Sequence, residues 1–167
     1  MRLTTARLVI EPLAERDIPE FVEYRRRPDV ARYQSWTPNY STEQAGLLVN
    51  DQPSALPQPG GWLQLAMHDA AGRLVGDLAV HTLDDGYELG VTVGVQRQGY
   101  ATEGMMALIE HLIPSRIVAF TDSRNDAVAA LLTKVGFAEV SQEPDWFKDE
   151  WTTLIGWELR TVALPSP

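Results

Sequence analysis

The chain has 167 residues, 44% of them hydrophobic and 22% charged, and it contains no cysteine. These figures predict one globular domain covering residues 1–167, and they exclude disulfides, a thiol nucleophile and cysteine-ligated metal. The formal net charge of −9 argues against nucleic-acid binding, because no basic excess is available to release counterions. The negative electrostatic field of such a protein suits a cationic or amine-bearing partner better than an anionic one.

Targeting and metal signals are absent from the sequence. The N-terminal segment has no apolar signal-peptide region, and no apolar run approaches the length that spans a membrane. No histidine pair or acidic cluster has the spacing of metal ligands. We therefore expect a cytoplasmic protein with no membrane partner and no metal.

The first half of the chain predicts one strand and two helices, followed by a loop. One candidate strand opens the chain at about 7–12. Asp17 has the position of a helix cap, with Pro19 in the first turn, and this helix ends before the next proline. A second helix at about 41–50 begins with the capping-box run Ser-Thr-Glu-Gln. The proline- and glycine-rich stretch 52–61 is a loop.

The second half predicts a meander of three antiparallel strands and then alternating helices and strands. These elements are strands at about 62–68, 73–81 and 87–95, a helix at 100–112, a strand at 116–121, a helix capped by Asp122 or Ser123 and ended by Gly136, and strands at 137–142 and 151–159. The order β-α-α-β-β-β-α-β-α-β-β predicts the α+β class, with a mixed sheet flanked by helices on its faces.

The junction before the third helix is the most informative segment of the sequence. It reads Gln96-Arg97-Gln98-Gly99-Tyr100-Ala101-Thr102-Glu103. A short turn with glycine leaves N–H groups free at the positive end of a helix, which creates an anion site. A glycine that only makes the turn is the open alternative. The run matches neither a P-loop nor the dinucleotide-binding glycine pattern.

Gln96-x-x-Gly99-x-Ala101 is similar to the signature with which the GNAT acetyltransferase superfamily binds the pyrophosphate of acetyl-coenzyme A (acetyl-CoA). The run from Gly99 to Glu103 resembles the Rim-type branch, the ribosomal-protein N-terminal acetyltransferases. Four further stretches agree in order, namely 6–10, 28–33, 121–125 and 132–137. The resemblance covers about residues 3–159. It implies a splayed sheet, with the pantetheine arm of acetyl-CoA between the strands at about 88–93 and 116–121.

The resemblance also implies a set of cofactor-binding residues. The free backbone groups of Val91 and Val93 at the strand edge would bind the pantetheine, and the amides of residues 97–101 would hold the pyrophosphate. The implied set is Val91, Val93, Gln96, Arg97, Gln98, Gly99, Tyr100, Ala101, Thr102, Asn125 and Lys134. A helix cap is the open alternative for Asn125, and a solvated charge is the favoured alternative for Lys134.

Direct transfer from the thioester to an amine is the chemistry that the family implies, and it needs a base. Glu88 is the expected base, acting directly or through a water, with a rim carboxylate as the open alternative. His81 and Asp77 are lesser candidates. Tyr33 and Trp36 could wall an acceptor pocket, although packing beneath the first helices is the alternative for Trp36.

One departure from the family pattern keeps a second function open. Val128 stands where a hydroxyl residue usually protonates the departing thiolate. The primary reading is an N-acetyltransferase acting on a small-molecule amine or a protein N-terminus, and the alternative is a non-catalytic acyl-CoA-binding module. A tryptophan-rich last strand favours a homodimer. The run 25–27 of three arginines is expected to be a solvated helix end.

Overall fold

The computed structural model describes residues 1–113 and 115–159, within which eight strands form one sheet in the order β1-β2-β3-β4-β5-β6-β8-β7. The strands are β1 Leu3–Thr4, β2 Val9–Pro12, β3 Trp62–His68, β4 Leu74–Leu83, β5 Gly86–Val93, β6 Arg116–Asp122, β7 Phe137–Phe147 and β8 Glu150–Leu159. The helices are α1 Ile18–Arg25, α2 Pro28–Ala31, α3 Thr42–Asn50, α4 Tyr100–Leu112 and α5 Asp126–Val135. This architecture confirms the predicted mixed α+β fold.

The core lies on both faces of the β3–β4–β5 meander. On one face, Leu65, Met67 and Leu78 are fully buried and belong to the same apolar cluster as Met105 and Leu108 of α4. On the other face, α1 and α3 pack over a second cluster. Each large apolar side chain buried in this way contributes about 1.5–3 kcal/mol, so the central strands are rigid supports for whatever lies at their ends. Within the described residues, no helix is long and apolar enough to cross a membrane.

The sheet opens between β5 and β6. These two strands are parallel, but they pair only at Gly86 with Arg116, Tyr87 with Ile117, and Glu88 with Val118. Both strands continue for several residues beyond the last pair, and each stays paired on its outer side, β5 with β4 and β6 with β8. The result is a V-shaped gap within an otherwise continuous sheet, as the family resemblance implies.

Several predicted boundaries are wrong. The last helix is capped by Asn125, whose Oδ1 accepts a hydrogen bond from the Val128 N–H at 3.4 Å, rather than by Asp122 or Ser123. β7 continues past 142 to Phe147, and β8 begins at Glu150. Lys148 and Asp149 make the turn between them with φ angles of 50° and 64°. Because neither residue is glycine, the turn carried no clear signal in the sequence.

The arginine run at the end of α1 is only partly the solvated helix end that the sequence predicts, because Arg26 is exposed but Arg25 is not. Arg25 is buried, and its guanidinium lies 3.7 Å from the ring centroid of Trp36 and 4.0 Å from that of Phe21. It donates to Asp77 at 3.4 Å, and Tyr24 also donates to this carboxylate. Burial raises the pKa of Asp77 more than these partners lower it. A buried polar cluster therefore joins α1 to the middle of β4.

Candidate active site

The loop between β5 and α4 presents backbone N–H groups at the start of a helix. Gly99 caps α4 with a φ of 78°, a left-handed conformation that a residue with a β-carbon adopts at a cost. The first N–H of the helix that donates to a backbone carbonyl is that of Glu103, to Gly99 at 3.1 Å. The N–H groups of residues 100–102 therefore have no helical acceptor, and they lie at the positive end of the helix dipole. This geometry suits an anion.

The N-terminal strand region braces this loop, a role that the sequence did not reveal. Arg7 donates to the Gln98 carbonyl at 2.8 Å and to Glu103 at 2.6 Å, and its guanidinium lies 4.9 Å from the Tyr100 ring centroid. Glu103 is partly buried, but hydrogen bonds from Thr5 and Arg7 lower the pKa of its carboxyl below the ordinary value. The loop is thus held in shape before any ligand binds.

The free edge of β5 faces the gap in the sheet. Successive N–H groups of a strand point to opposite sides, and the Gly94 N–H donates toward β4, to the Val75 carbonyl at 2.9 Å. By alternation the Thr92 N–H points the same way, so those of Val91 and Val93 point into the gap. An extended ligand lying there could pair with β5 as a short strand would.

A cleft of about 620 Å³ connects the loop and the gap. It brings together every residue in the predicted cofactor set, namely Val91, Val93, Gln96, Arg97, Gln98, Gly99, Tyr100, Ala101, Thr102, Asn125 and Lys134. Lys134 and Arg97 supply cationic side chains to its lining, in addition to the N–H groups of the loop. A β-carbon on Gly99 would lie only 3.3 Å from Nη2 of Arg7. The residues present therefore fit a long anionic ligand such as acetyl-CoA.

A smaller inner cavity of about 210 Å³ continues from the cleft to the other side of the gap. Both spaces share Tyr33, Gln34, Val91, Asn125 and Val128 in their linings, so they adjoin each other at the gap between β5 and β6, and we treat the two as one passage. Beyond the shared residues the inner cavity is lined by residues of β5, β6, β7 and β8 and by one residue each of α4 and α5. Among its other lining residues are Leu89, Gly90, Phe120, Asp122, Asp145 and Phe147.

Glu88 lies beside this inner cavity without lining it. Its Oε2 is 3.1 Å from Nδ1 of His81, and the side chain is 27% exposed. The His81 ring stacks on Trp62, with 4.3 Å between centroids and 4° between planes. The next two residues of β5, Leu89 and Gly90, do line the cavity. Glu88 therefore stands at the point where the two strands separate.

The two aromatic residues predicted for an acceptor pocket lie in different surroundings. Tyr33 lines both the cleft and the inner cavity. Trp36 lines neither; its Nε1 donates to the Arg25 carbonyl at 3.1 Å, and its ring stacks on the Arg25 guanidinium. Trp36 thus packs beneath the first helices, which was the alternative reading of this residue.

The β7–β8 hairpin forms part of the wall of the inner cavity, which no local sequence pattern predicts. Lys148 at its tip donates to the carbonyls of Ala31 at 2.6 Å and Trp36 at 2.8 Å, and burial lowers the pKa of the lysine. On the neighbouring strand β6, hydrogen bonds from Arg124 lower the pKa of Asp122 to about 2. Asp145 and Phe147 enter the cavity wall because β7 runs beyond its predicted end.

Across residues 1–113 and 115–159, no group of three or more histidine, aspartate or glutamate side chains is placed to hold a metal ion.

Solved structures of known acetyltransferases share this fold. An acetyltransferase (GNAT family) from Bacillus anthracis matches with a TM-score of 0.82 and 20% identity, covering 95% of this chain and 98% of that one. RimL, a ribosomal L7/L12 alpha-N-protein acetyltransferase solved with coenzyme A, matches at 0.80 and 15%, covering 95% and 97%. A spermidine N-acetyltransferase from Vibrio cholerae, solved with CoA and spermine, matches at 0.77 and 14%, covering 93% and 96%.

The sequence itself identifies the family. A search of curated proteins found no match. The family model of the acetyltransferase (GNAT) domain, however, matches residues 7–138, which is most of the chain and includes the helix-capping loop, the gap and α5. The chain therefore belongs to the GNAT acetyltransferase family.

Proposed function

We propose that this protein transfers the acetyl group of acetyl-CoA directly to a primary amine, on a small molecule or a protein N-terminus. The observation that carries the proposal is the passage through the sheet. β5 and β6 separate after Glu88 and Val118, between an N–H-rich helix end on one side and a cavity containing two carboxylates on the other. An anionic donor and a cationic acceptor can enter it from opposite ends.

The donor side uses mostly backbone groups. The N–H groups of residues 97–101 would hold the diphosphate, and three charge-assisted hydrogen bonds of this kind contribute roughly 5–8 kcal/mol before ordering costs. The inward-facing N–H groups of Val91 and Val93 would hold the pantetheine amides. Arg97 and Lys134 would add positive charge along the cleft.

Bound acetyl-CoA supplies the activated acyl carbon, and the protein's residues supply position and proton transfer. The rigid meander holds one wall of the gap, so that amine and acyl carbon would be kept in line without further ordering. Glu88 would accept the proton that the attacking amine loses, directly or through a water. His81, stacked on Trp62, would orient that carboxylate.

One observation favours a second candidate, a non-catalytic acyl-CoA-binding module. Val128 lines the junction of the cleft and the inner cavity, where it provides no proton for a departing thiolate. A thiol leaves more readily without protonation than an alcohol or amine does, because its pKa is near 8.5. This departure therefore weakens the case for turnover without removing it.

Thiol release with a panel of primary amines, together with calorimetry of acetyl-CoA binding, separates the two candidates. Acetyl-CoA binding with amine-dependent release of coenzyme A supports the transferase. Binding without release for any amine supports the module. Absence of binding contradicts both, because both require the same donor cleft.

We also propose three further properties of this protein. They are the Rim-type branch, a cytoplasmic location, and action as a single domain, supported by the joining of all described strands in one sheet. A homodimer is supported by Trp146 and Trp151, which are 55% and 71% exposed on the β7–β8 hairpin, with ring centroids 5.3 Å apart. Light scattering that gives the chain mass of 18.6 kDa would contradict the dimer.

A further inference from the structure

The proposed transfer uses neither of the two carboxylates that line the inner cavity, Asp122 and Asp145, and these two differ in their partners. Asp145 lies on β7, half-buried, and lines the cavity. Within the described part of the chain its carboxylate has neither an ion pair nor a hydrogen bond. Asp122 in the same cavity differs, because Arg124 binds it at 2.6 Å and Thr152 donates to it at 3.0 Å. Asp145 is therefore the carboxylate available to a ligand.

The surroundings of Asp145 suit a cation. Three aromatic side chains, Tyr33, Phe120 and Phe147, line the same cavity, and no lysine, arginine or histidine is among its lining residues. Arg124 already lies 5.8 Å from the Tyr33 ring centroid and Lys148 5.3 Å from that of Phe147, so among the described residues Phe120 is the ring of the three without a cation over it. A carboxylate with aromatic rings nearby binds ammonium groups through a charge-assisted hydrogen bond and cation–π attraction. A second carboxylate or phosphate on the acceptor would instead be repelled.

The size of the cavity indicates how much of an acceptor it can surround. Its volume of about 210 Å³ corresponds to about seven non-hydrogen atoms, at roughly 30 Å³ each. A chain of four or five methylene groups with an amine at each end has that size. One amine would then lie toward the gap in the sheet and the other toward β7.

The reacting amine is a poor partner for this carboxylate. Attack on a thioester requires the neutral amine, and a neighbouring carboxylate stabilises the protonated form. A second amine that stays protonated throughout gains from the same contact at no cost to the reaction. We propose that Asp145 binds the second, non-reacting ammonium group of the acceptor, so that the protein selects short α,ω-diamines over monoamines. This inference rests on the proposed function.

Two amines of equal size test the proposal. 1,4-Diaminobutane and n-pentylamine differ only in whether one end carries an ammonium or a methyl group. Wild-type protein should favour the diamine, and Asp145→Asn should lower the ratio of their kcat/KM values about 10-fold or more, as expected for loss of a charge-assisted hydrogen bond. Glu143→Gln removes the same charge from an exposed position two residues earlier on β7, and the ratio should not change.

Calorimetry of 1,4-diaminobutane binding to the coenzyme A complex keeps this inference separate from the transfer itself. If no amine releases coenzyme A, the proposed function fails, but weaker diamine binding by Asp145→Asn still supports the subsite. The subsite is overturned if wild type does not bind the diamine, if Asp145→Asn lowers kcat/KM equally for both amines, or if Glu143→Gln changes the ratio as much as Asp145→Asn does.

Discussion

The two ends of the passage through the sheet are built in different ways. The cleft end, around Gly99, consists of consecutive residues whose backbone N–H groups point outward, and one ion pair braces them. The inner end consists mainly of side chains from many distant segments, including Tyr33, Phe120 and Asp145. Binding by backbone leaves a local signature in the sequence, whereas a wall of side chains from many segments does not. The donor is thus easier to infer from this sequence than the acceptor.

The largest effect should come from a charge placed in the backbone loop. Gly99→Asp introduces a β-carbon at a φ of 78° and a negative charge beside the diphosphate, so acetyl-CoA affinity should fall over 100-fold, about 3 kcal/mol or more. Gly72→Asp is a matched control, because Gly72 has the same φ of 78° in a turn with open space around it. Calorimetry should show normal affinity for the control. Equal affinities in the two folded variants would mean that the diphosphate does not bind at Gly99.

A change at the junction of the two ends should affect turnover rather than binding. Glu88→Gln should lower kcat about 100-fold at pH 7, and the loss should shrink as pH rises, because more of the amine is then unprotonated. Asp84→Asn removes a carboxylate from the turn just before β5 and should keep wild-type turnover. Wild-type turnover in Glu88→Gln would remove Glu88 from the mechanism and leave it a rim carboxylate.

Removal of the Arg7 contacts that brace the loop should have an intermediate effect on acetyl-CoA affinity. Arg7→Ala removes contacts to the Gln98 carbonyl and Glu103, so the loop must be ordered when the ligand binds, and acetyl-CoA affinity should fall about 10-fold. Arg2→Ala removes an exposed ion pair with Glu11 from the same part of the chain and serves as the control. If calorimetry gives the same affinity for both variants, the loop is rigid without its brace.

The smallest effect concerns stability at the inner end. Hydrogen bonds from Arg124 lower the pKa of Asp122 from 3.8 to about 2, so this contact stabilises the fold above pH 3.8 and is lost as pH falls toward 2. Asp122→Asn should remove about 1–2 kcal/mol from the pH-dependent part of the free energy of unfolding. The value is no larger because solvent screens the partly exposed Arg124. Urea unfolding between pH 2 and 5 measures it. Glu150→Gln, which breaks only the exposed partner of Arg124, should keep the wild-type slope.

The contrast between the two ends also explains which features of the structure could be predicted from the sequence and which could not. Helix α4 and the cap at Gly99 follow from glycine, amphipathic spacing and a short junction, which are local properties. The burial of Arg25 depends on Asp77, 52 residues away, and on aromatic rings that no local pattern assigns to it. The position of Asp145 depends on a turn formed by Lys148 and Asp149 without glycine. Such features become visible only when distant segments are brought together.

The contact at the tip of the β7–β8 hairpin has a consequence for how acceptor preference can change. Lys148 binds the main-chain carbonyls of Ala31 and Trp36, so the identity of those two side chains is not what holds the hairpin closed. Substitutions among the residues that line the inner cavity can therefore alter which amine fits, while the contact between Lys148 and the two carbonyls persists. A directed-evolution library that varies the cavity residues and keeps Lys148 should yield folded proteins with new amine preferences more often than one that also varies the lysine.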